Sequence, residues 1–286
     1  MVRMCLSRPV LVVLLLWTAG LLQSQGQAPG NRAKPAGNAA KPQAQRSQTE
    51  VVQAQRPQPE KPQSEKPIES LQYAVEWRLI RAGTAVLTRT PKSNAGWQAD
   101  LHLESAGLVN KLYRVNDNYQ SRFDSGYCAS DFAMQAEEGS RRRDTKVRFD
   151  REKKKSHYLE RDLVKNNVVL EKELDIPPCV HDVLAALAHL RGVRMKPGQS
   201  AQLPITDGKR MVMAKVEAQE KEKVKTSAGT FEAVRYEAHL FNDVLYSRKG
   251  RLLIWLTDDE KGLPVQIRVR LSFPTGTISF QLEKTS

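Results

Sequence analysis

The sequence predicts a mainly β protein: one large curved antiparallel sheet, a half-barrel, with one short amphipathic helix on its concave face. Three observations carry that prediction. Apolar residues alternate with polar ones at a period of two along most of the chain after residue 68. Turn dipeptides separate the runs, at Asp207-Gly208, Lys249-Gly250, Lys261-Gly262 and Thr275-Gly276. One segment, after Pro177-Pro178, departs from the period and has helical spacing instead.

The chain opens on Arg3 and Arg8 followed by an unbroken apolar stretch from Val10 to Trp17, with Leu21 and Leu22 close behind. That order is a secretory signal, read over residues 1–28, and it directs the rest of the chain out of the cytoplasm. An apolar core this short falls below the roughly 20 residues of a membrane span. Pro29 disfavours cleavage directly after Ala28, which leaves Ser24 and Gly26 as further cleavage points. Residues 29–67 are Pro, Gln, Ala, Lys and Ser, with Val51 and Val52 as the larger apolar groups. Such a stretch cannot bury enough surface to offset its ordering entropy, so it reads as a disordered, extended, cationic linker. Residues 68–286 read as a single β-rich domain, a normal length for one such unit.

Within that domain, Leu71 to Ile80 places Leu71, Tyr73, Val75, Trp77 and Leu79 on one face and Gln72, Glu76 and Arg78 on the other. Trp97 to Glu104 alternates in the same way, and Tyr113, Val115, Tyr119 and Phe123 mark another long strand. Shorter strands are expected near 132–137, 146–150, 157–162 and 168–174, and later at 211–218, 231–241, 251–257, 264–273 and 277–282. Asp182 stands where an N-cap would, ahead of Leu184, Leu187 and Leu190, with Gly192 beyond. This predicts a helix from Asp182 to Arg191 whose apolar stripe plugs the concave face.

Cys5 falls in the signal, so Cys128 and Cys179 are the two thiols of the mature chain. In an oxidising compartment they can pair, and closing a loop of about 50 residues stabilises by roughly 3 to 4 kcal/mol in the chain-entropy model. Two buried unpaired thiols, or a catalytic Cys179 served by His181, are the alternatives.

Lys and Arg total 45 against 32 Asp and Glu, a net charge of +13, of which residues 1–67 carry +6. That balance suits polyanions such as lipid head groups or anionic polysaccharide. Arg141, Arg142 and Arg143, with Lys153, Lys154 and Lys155, stand at the two ends of a short strand and form a candidate basic rim. Solvated strand ends that discourage edge pairing are the other reading. Motifs for catalysis are missing. His181 and His189 lack metalloprotease spacing and read as cap-adjacent and surface histidines, and Asp258-Asp259 reads as a polar hairpin turn. The sequence therefore assigns no catalytic residue, metal or cofactor, and nucleic acid is not an expected partner.

The C-terminal third carries a recognisable texture. Val224 to Arg235, Lys249 to Asp259, Leu263 to Ile267 and Gly276 to Ser279 resemble the bacterial exported family known as domain of unknown function 3108. Asp182 to Leu190, then Lys196-Pro197-Gly198 and Asp207-Gly208-Lys209, are similar to that family's helix and hairpin. The resemblance implies a periplasmic or envelope protein with a half-barrel like the lipoprotein-localisation carriers, and no known catalytic residues. Cys5 precedes the apolar core, so a lipid anchor is not expected. The expected role is non-enzymatic binding of an apolar or amphipathic envelope component, with envelope lipid or lipoprotein as partner. A ligand-free interaction module for envelope assembly and an enzyme of unknown type are the alternatives.

Overall fold

The computed structural model describes residues 66–92 and 96–286. The signal peptide read over 1–28 lies outside them, as does the linker read over 29–67 apart from its last two residues. The described residues form fourteen strands and two helices. In chain order these are β1 (Glu69–Trp77), β2 (Ile80–Lys92), β3 (Gly96–Ser105), α1 (Gly107–Leu112), β4 (Val115–Asp124), β5 (Ala129–Glu138), β6 (Arg141–Asp150), β7 (Lys155–Asp162) and β8 (Asn167–Asp175). Then follow α2 (Val183–Val193), β9 (Ser200–Thr206), β10 (Met211–Thr226), β11 (Gly229–Ala238), β12 (Gly250–Thr257), β13 (Pro264–Leu271) and β14 (Gly276–Thr285).

All fourteen strands belong to one unclosed sheet, ordered β8-β7-β6-β5-β4-β3-β2-β1-β14-β13-β12-β11-β10-β9, with neighbours antiparallel. Two meanders thus spread outward from a central seam where β1 pairs with β14, and α2 lies on the connection between the two edge strands. A connection from one edge of a sheet to the other has to cross one of its faces. The inner face is the apolar one: β6, for example, buries Thr145, Val147 and Phe149 and exposes Lys146 and Arg148. The apolar stripe of α2 therefore settles there, with Ala185 and Ala188 against the central strands and Ala186 and Leu190 against the β9–β12 half.

The two halves approach each other without pairing as strands. Val180 accepts a bond from Ala129 N at 2.8 Å, and His181 forms an isolated parallel bridge with Ile205 of β9, so the chain ahead of α2 straps β5 to the opposite edge. The β9–β10 hairpin tip lies on the inner face of β6 and β7. Gly208 there has φ +81°, and a Cβ would stand 2.7 Å from Val147 and 2.8 Å from Tyr158, so both conformation and space require glycine. The other edge, β8, is protected by its own exposed charges, including Glu171 and Glu173.

The predicted half-barrel is thus the observed fold, with local corrections. The run Leu71 to Ile80 is not one strand: it ends at Trp77, and Arg78 and Leu79 make the reversal with φ +50° and +70°. Leu79 continues the apolar parity by sequence yet projects outward. β2 was not expected, nor was the six-residue α1, while β9 is the first arm of the hairpin that the resemblance implied around Asp207-Gly208. β10 runs on through charged Glu217 to Lys225 because β11 supplies its hydrogen-bonding partner. Gly250 begins β12 rather than forming a left-handed turn.

Candidate functional site

Helix α2 is fixed at both ends. Asp182 caps it, with Oδ1 accepting from Leu184 N at 2.9 Å and Ala185 N at 3.1 Å, while Oδ2 accepts from Ser121 Oγ at 2.6 Å. The carboxyl is wholly buried, and burial pushes its pKa up to about 6 against the lowering effect of those bonds. At the far end Arg191 donates to both oxygens of Glu69 at 2.7 Å and to the carbonyls of Gly262 and Lys261. The helix closes not at Gly192 but at Arg194, in the left-handed region at φ +46°. Gly192 is required by close approach, since a Cβ would stand 2.6 Å from the Tyr127 hydroxyl. The Cys128–Cys179 disulfide ties the strap ahead of α2 to the β4–β5 loop, which removes the reading of Cys179 as a nucleophile.

Between α2 and the sheet lies a cavity of about 180 Å³. Its walls are apolar side chains from both halves, among them Leu87, Phe132, Leu203, Ile254 and Phe280, with Leu184, Leu187 and Leu190 on the helix side. Leu184 and Leu190 are buried, whereas Leu187 is only half-buried, so the stripe expected to plug the sheet leaves space beside it. Two tyrosines also line the cavity, and each hydroxyl is engaged elsewhere: Tyr73 donates to the Pro264 carbonyl at 2.8 Å, and Tyr119 reaches Asp117 at 3.4 Å. Burial raises the pKa of both phenols, so both stay neutral.

Beyond Tyr119 the inner face becomes polar. Asp117, Glu138, Glu160 and Asp162 are buried there, with Arg141 and Arg143 between them. Arg143 Nη1 meets Asp162 at 2.9 Å, Arg141 meets Glu160 at 3.5 Å and Glu138 at 3.7 Å, and Tyr158 donates to Glu160 at 2.8 Å. Burial, then repulsion from Glu138, pushes the Asp117 carboxyl up to about 8. Sequence reasoning passed over these acids, although Asp117 falls at an inward parity between Val115 and Tyr119.

The candidate basic rim is not one surface. Its two groups sit at opposite ends of β6, about 30 Å apart for a strand of that length. Arg142 pairs with Glu137 at 2.6 Å, Lys153 with Asp150 at 3.5 Å and Lys155 with Asp175 at 2.8 Å, while Lys154 turns the chain at φ +53°. Alternation along the strand explains the split, sending Arg141 and Arg143 inward and Arg142 outward. Of the histidines, His181 stands beside the N-cap as expected, whereas His189 is not a surface residue. His181 is buried, its Nδ1 2.7 Å from the Tyr127 carbonyl, and its ring lies 4.8 Å from that of half-buried His189. Burial lowers both pKa values, and the pair packs as aromatic rings. Asp259 Oδ1 accepts from Lys261 N and Gly262 N at 3.0 Å, the turn role read from sequence. No group of three or more metal-ligating side chains occurs among the described residues.

A single antiparallel sheet wrapped around a cavity and a crossing helix defines a β half-barrel. The chain belongs to the family described as protein of unknown function DUF3108, whose profile matches residues 72–283. Its sequence matches no curated protein. In structure it is similar to a β-barrel-like protein of domain of unknown function DUF1849 from Brucella abortus, with 11% identity, a TM-score of 0.49 and coverage of 76% of this chain and 96% of that one. An exported protein with a YmcC-like fold from Bacteroides fragilis has 11% identity and a TM-score of 0.35, covering 78% of this chain and 97% of that one. A lipoprotein from Parabacteroides distasonis has 10% identity and a TM-score of 0.34, covering 78% and 96%.

Proposed function

We propose that this protein is exported to the cell envelope and there binds an apolar or amphipathic component, without catalysing a reaction on it. One observation carries the reading: the cavity under α2 has apolar walls throughout, and its two tyrosine hydroxyls face other partners. Such a space has nothing with which to polarise a substrate and much with which to hold a hydrocarbon. Export is supported by the signal-like start of the sequence and by the disulfide, a bond kept in oxidising compartments.

The volume bounds the guest. A cavity of about 150 Å³ lined by apolar side chains holds a benzene ring, so this one admits a single ring or a short stretch of chain. A longer acyl chain requires side chains to move. Half-buried Leu187 is the readiest to do so, because the two ends of α2 are anchored. The test is calorimetric titration of a single-ring apolar ligand such as toluene into wild type and into two variants that fill the cavity, Ala186→Leu and Ala238→Leu. Saturable binding that falls at least tenfold in a variant retaining its cooperative melt supports the reading. Binding unaffected by filling would place the ligand elsewhere and remove it.

A further inference from the structure

The large apolar side chains that remain exposed are gathered at one end of the sheet. Call the end that holds the β1–β2, β7–β8 and β13–β14 turns and α1 the loop rim, and the end that holds the disulfide and the C-terminus of α2 the helix rim. Leu79 is 93% exposed in the β1–β2 turn and Phe273 89% exposed in the β13–β14 turn. These turns are neighbours because β1 pairs with β14, and the Trp77 Nε1 bond to the Thr275 carbonyl at 2.7 Å ties them together. On α1, Val109 is buried while Leu108 and Leu112, four apart, face outward, with Leu112 71% exposed. Leu163 and Val164 extend the series at the β7–β8 turn. The helix rim has only Ile68 and Val193 to set against these among the described residues.

Leu79 also occupies a left-handed position in a two-residue hairpin turn, where Asn-Gly would be free of its steric cost. A leucine there is both strained and wet. Lys111, Arg114, Lys249 and Arg270 are exposed on the same rim with no carboxylate partner among the described residues. The rim's acids are mostly engaged: Glu137 with Arg142, Asp162 with Arg143, and Asp207 with the backbone of its own turn. Glu76, Glu104 and Asp243 remain against the free cations, Glu104 having the Thr84 hydroxyl at 3.1 Å and His102 at 3.8 Å beside it. Separate apolar tips with cations between them differ from the continuous apolar centre of a protein interface. They match what an anionic bilayer takes up, with side chains entering the acyl boundary and cations meeting phosphate.

We propose that the loop rim docks on a lipid bilayer bearing anionic head groups, with Leu79 and Phe273 as the inserted anchors. The contact is made by turn and α1 side chains; no helix among the described residues is long and apolar enough to cross a membrane. It stands on the rim alone and does not require the cavity to hold a ligand.

Co-sedimentation of the full chain with vesicles tests it, using phosphatidylglycerol mixed with phosphatidylethanolamine and, separately, pure phosphatidylcholine. Wild type and variants share the same N-terminal segment, so differences between them report the rim. Leu79→Ser and Phe273→Ser are each expected to weaken binding to the anionic vesicles about tenfold, from the loss of a buried apolar side chain. Lys111→Glu with Arg114→Glu should weaken it further and flatten its salt dependence, while Ile68→Ser on the helix rim leaves it unchanged. Leu108→Ser with Leu112→Ser repeats the test should a turn variant fold poorly. Equal binding by wild type and rim variants, or none by wild type, overturns the proposal. So does a rim variant that alters self-association in lipid-free solution while sparing vesicle binding, because the rim would then meet a second copy.

Discussion

At the helix rim Arg191 holds Glu69 through two bonds of 2.7 Å, the disulfide fixes the strap, and Arg151 meets Asp124 at 2.6 Å. At the loop rim the turns carry nearly bare Leu79 and Phe273. Exposed cations with no carboxylate partner among the described residues stand at both rims, Lys111 and Arg114 at the loop rim and Lys154, Arg194 and Lys196 at the helix rim, so what sets the rims apart is the cross-linking of one and the bare apolar tips of the other. The contrast teaches where stability and interaction reside: substitutions at the helix rim should unfold the protein, and those at the loop rim should leave it folded but change what it touches.

The largest expected effect is at the helix rim. Arg191→Ala strands the Glu69 carboxylate in a mostly buried site and should cost about 3 to 5 kcal/mol in urea unfolding at neutral pH. Burial by itself would raise the Glu69 pKa, and the Arg191 hydrogen bonds and charge reverse that into a net lowering. This contribution is therefore present above the ordinary carboxylate range and is lost as pH falls through the lowered value. Glu69→Gln added to Arg191→Ala should recover part of the loss, and no recovery would mean that the pair is not coupled. Next, replacing Cys128 and Cys179 with Ser should cost roughly 3 to 4 kcal/mol, since the bond spans 51 residues. Two free thiols in alkylated, unreduced protein would contradict the bond itself.

A pH-dependent effect is expected where the inner face turns polar. Asp117, pushed up to about 8 by burial and Glu138, binds a proton in the folded chain that the unfolded chain has released above its usual range. Its contribution to stability therefore falls as pH rises from about 4 to about 8. Asp117→Asn should be close to neutral at pH 5 and more stable than wild type at pH 9, read from denaturant midpoints. A variant less stable at both would show that the carboxylate is wanted in its charged form. The smallest effect belongs to the loop rim: Leu79→Ser should change stability by no more than about 0.5 kcal/mol, and a larger loss would mean that this turn is part of the core.

Much of this contrast was readable in advance, and its failures have physical causes. The alternation of Tyr73, Val75 and Trp77, the N-cap at Asp182 and the pairing of Cys128 with Cys179 are local or combinatorial signals, and they held. Leu79 kept the strand's parity and so concealed a turn that only the pairing of β1 with β2 forces. The Arg191–Glu69 pair joins residues 122 apart and leaves no local trace. The basic groups stand at the two ends of a strand that the alternation predicts to be short, 146–150, whereas β6 is ten residues long and holds them apart. The inward acids at Asp117 and Glu160 obey the alternation but break its hydrophobic rule, which is why they were overlooked.

The central claim is that the space beneath α2 holds an apolar envelope component. Mass spectrometry of lipids that co-purify with the wild-type protein from envelope extracts, run beside the cavity-filling Ala186→Leu and Ala238→Leu variants, tests it most directly. The expected result is one lipid class, recovered at near-stoichiometric amounts with wild type and depleted in the filled variants. Recovery of the same lipids in the same amounts from all three proteins, or of none from wild type, would contradict it.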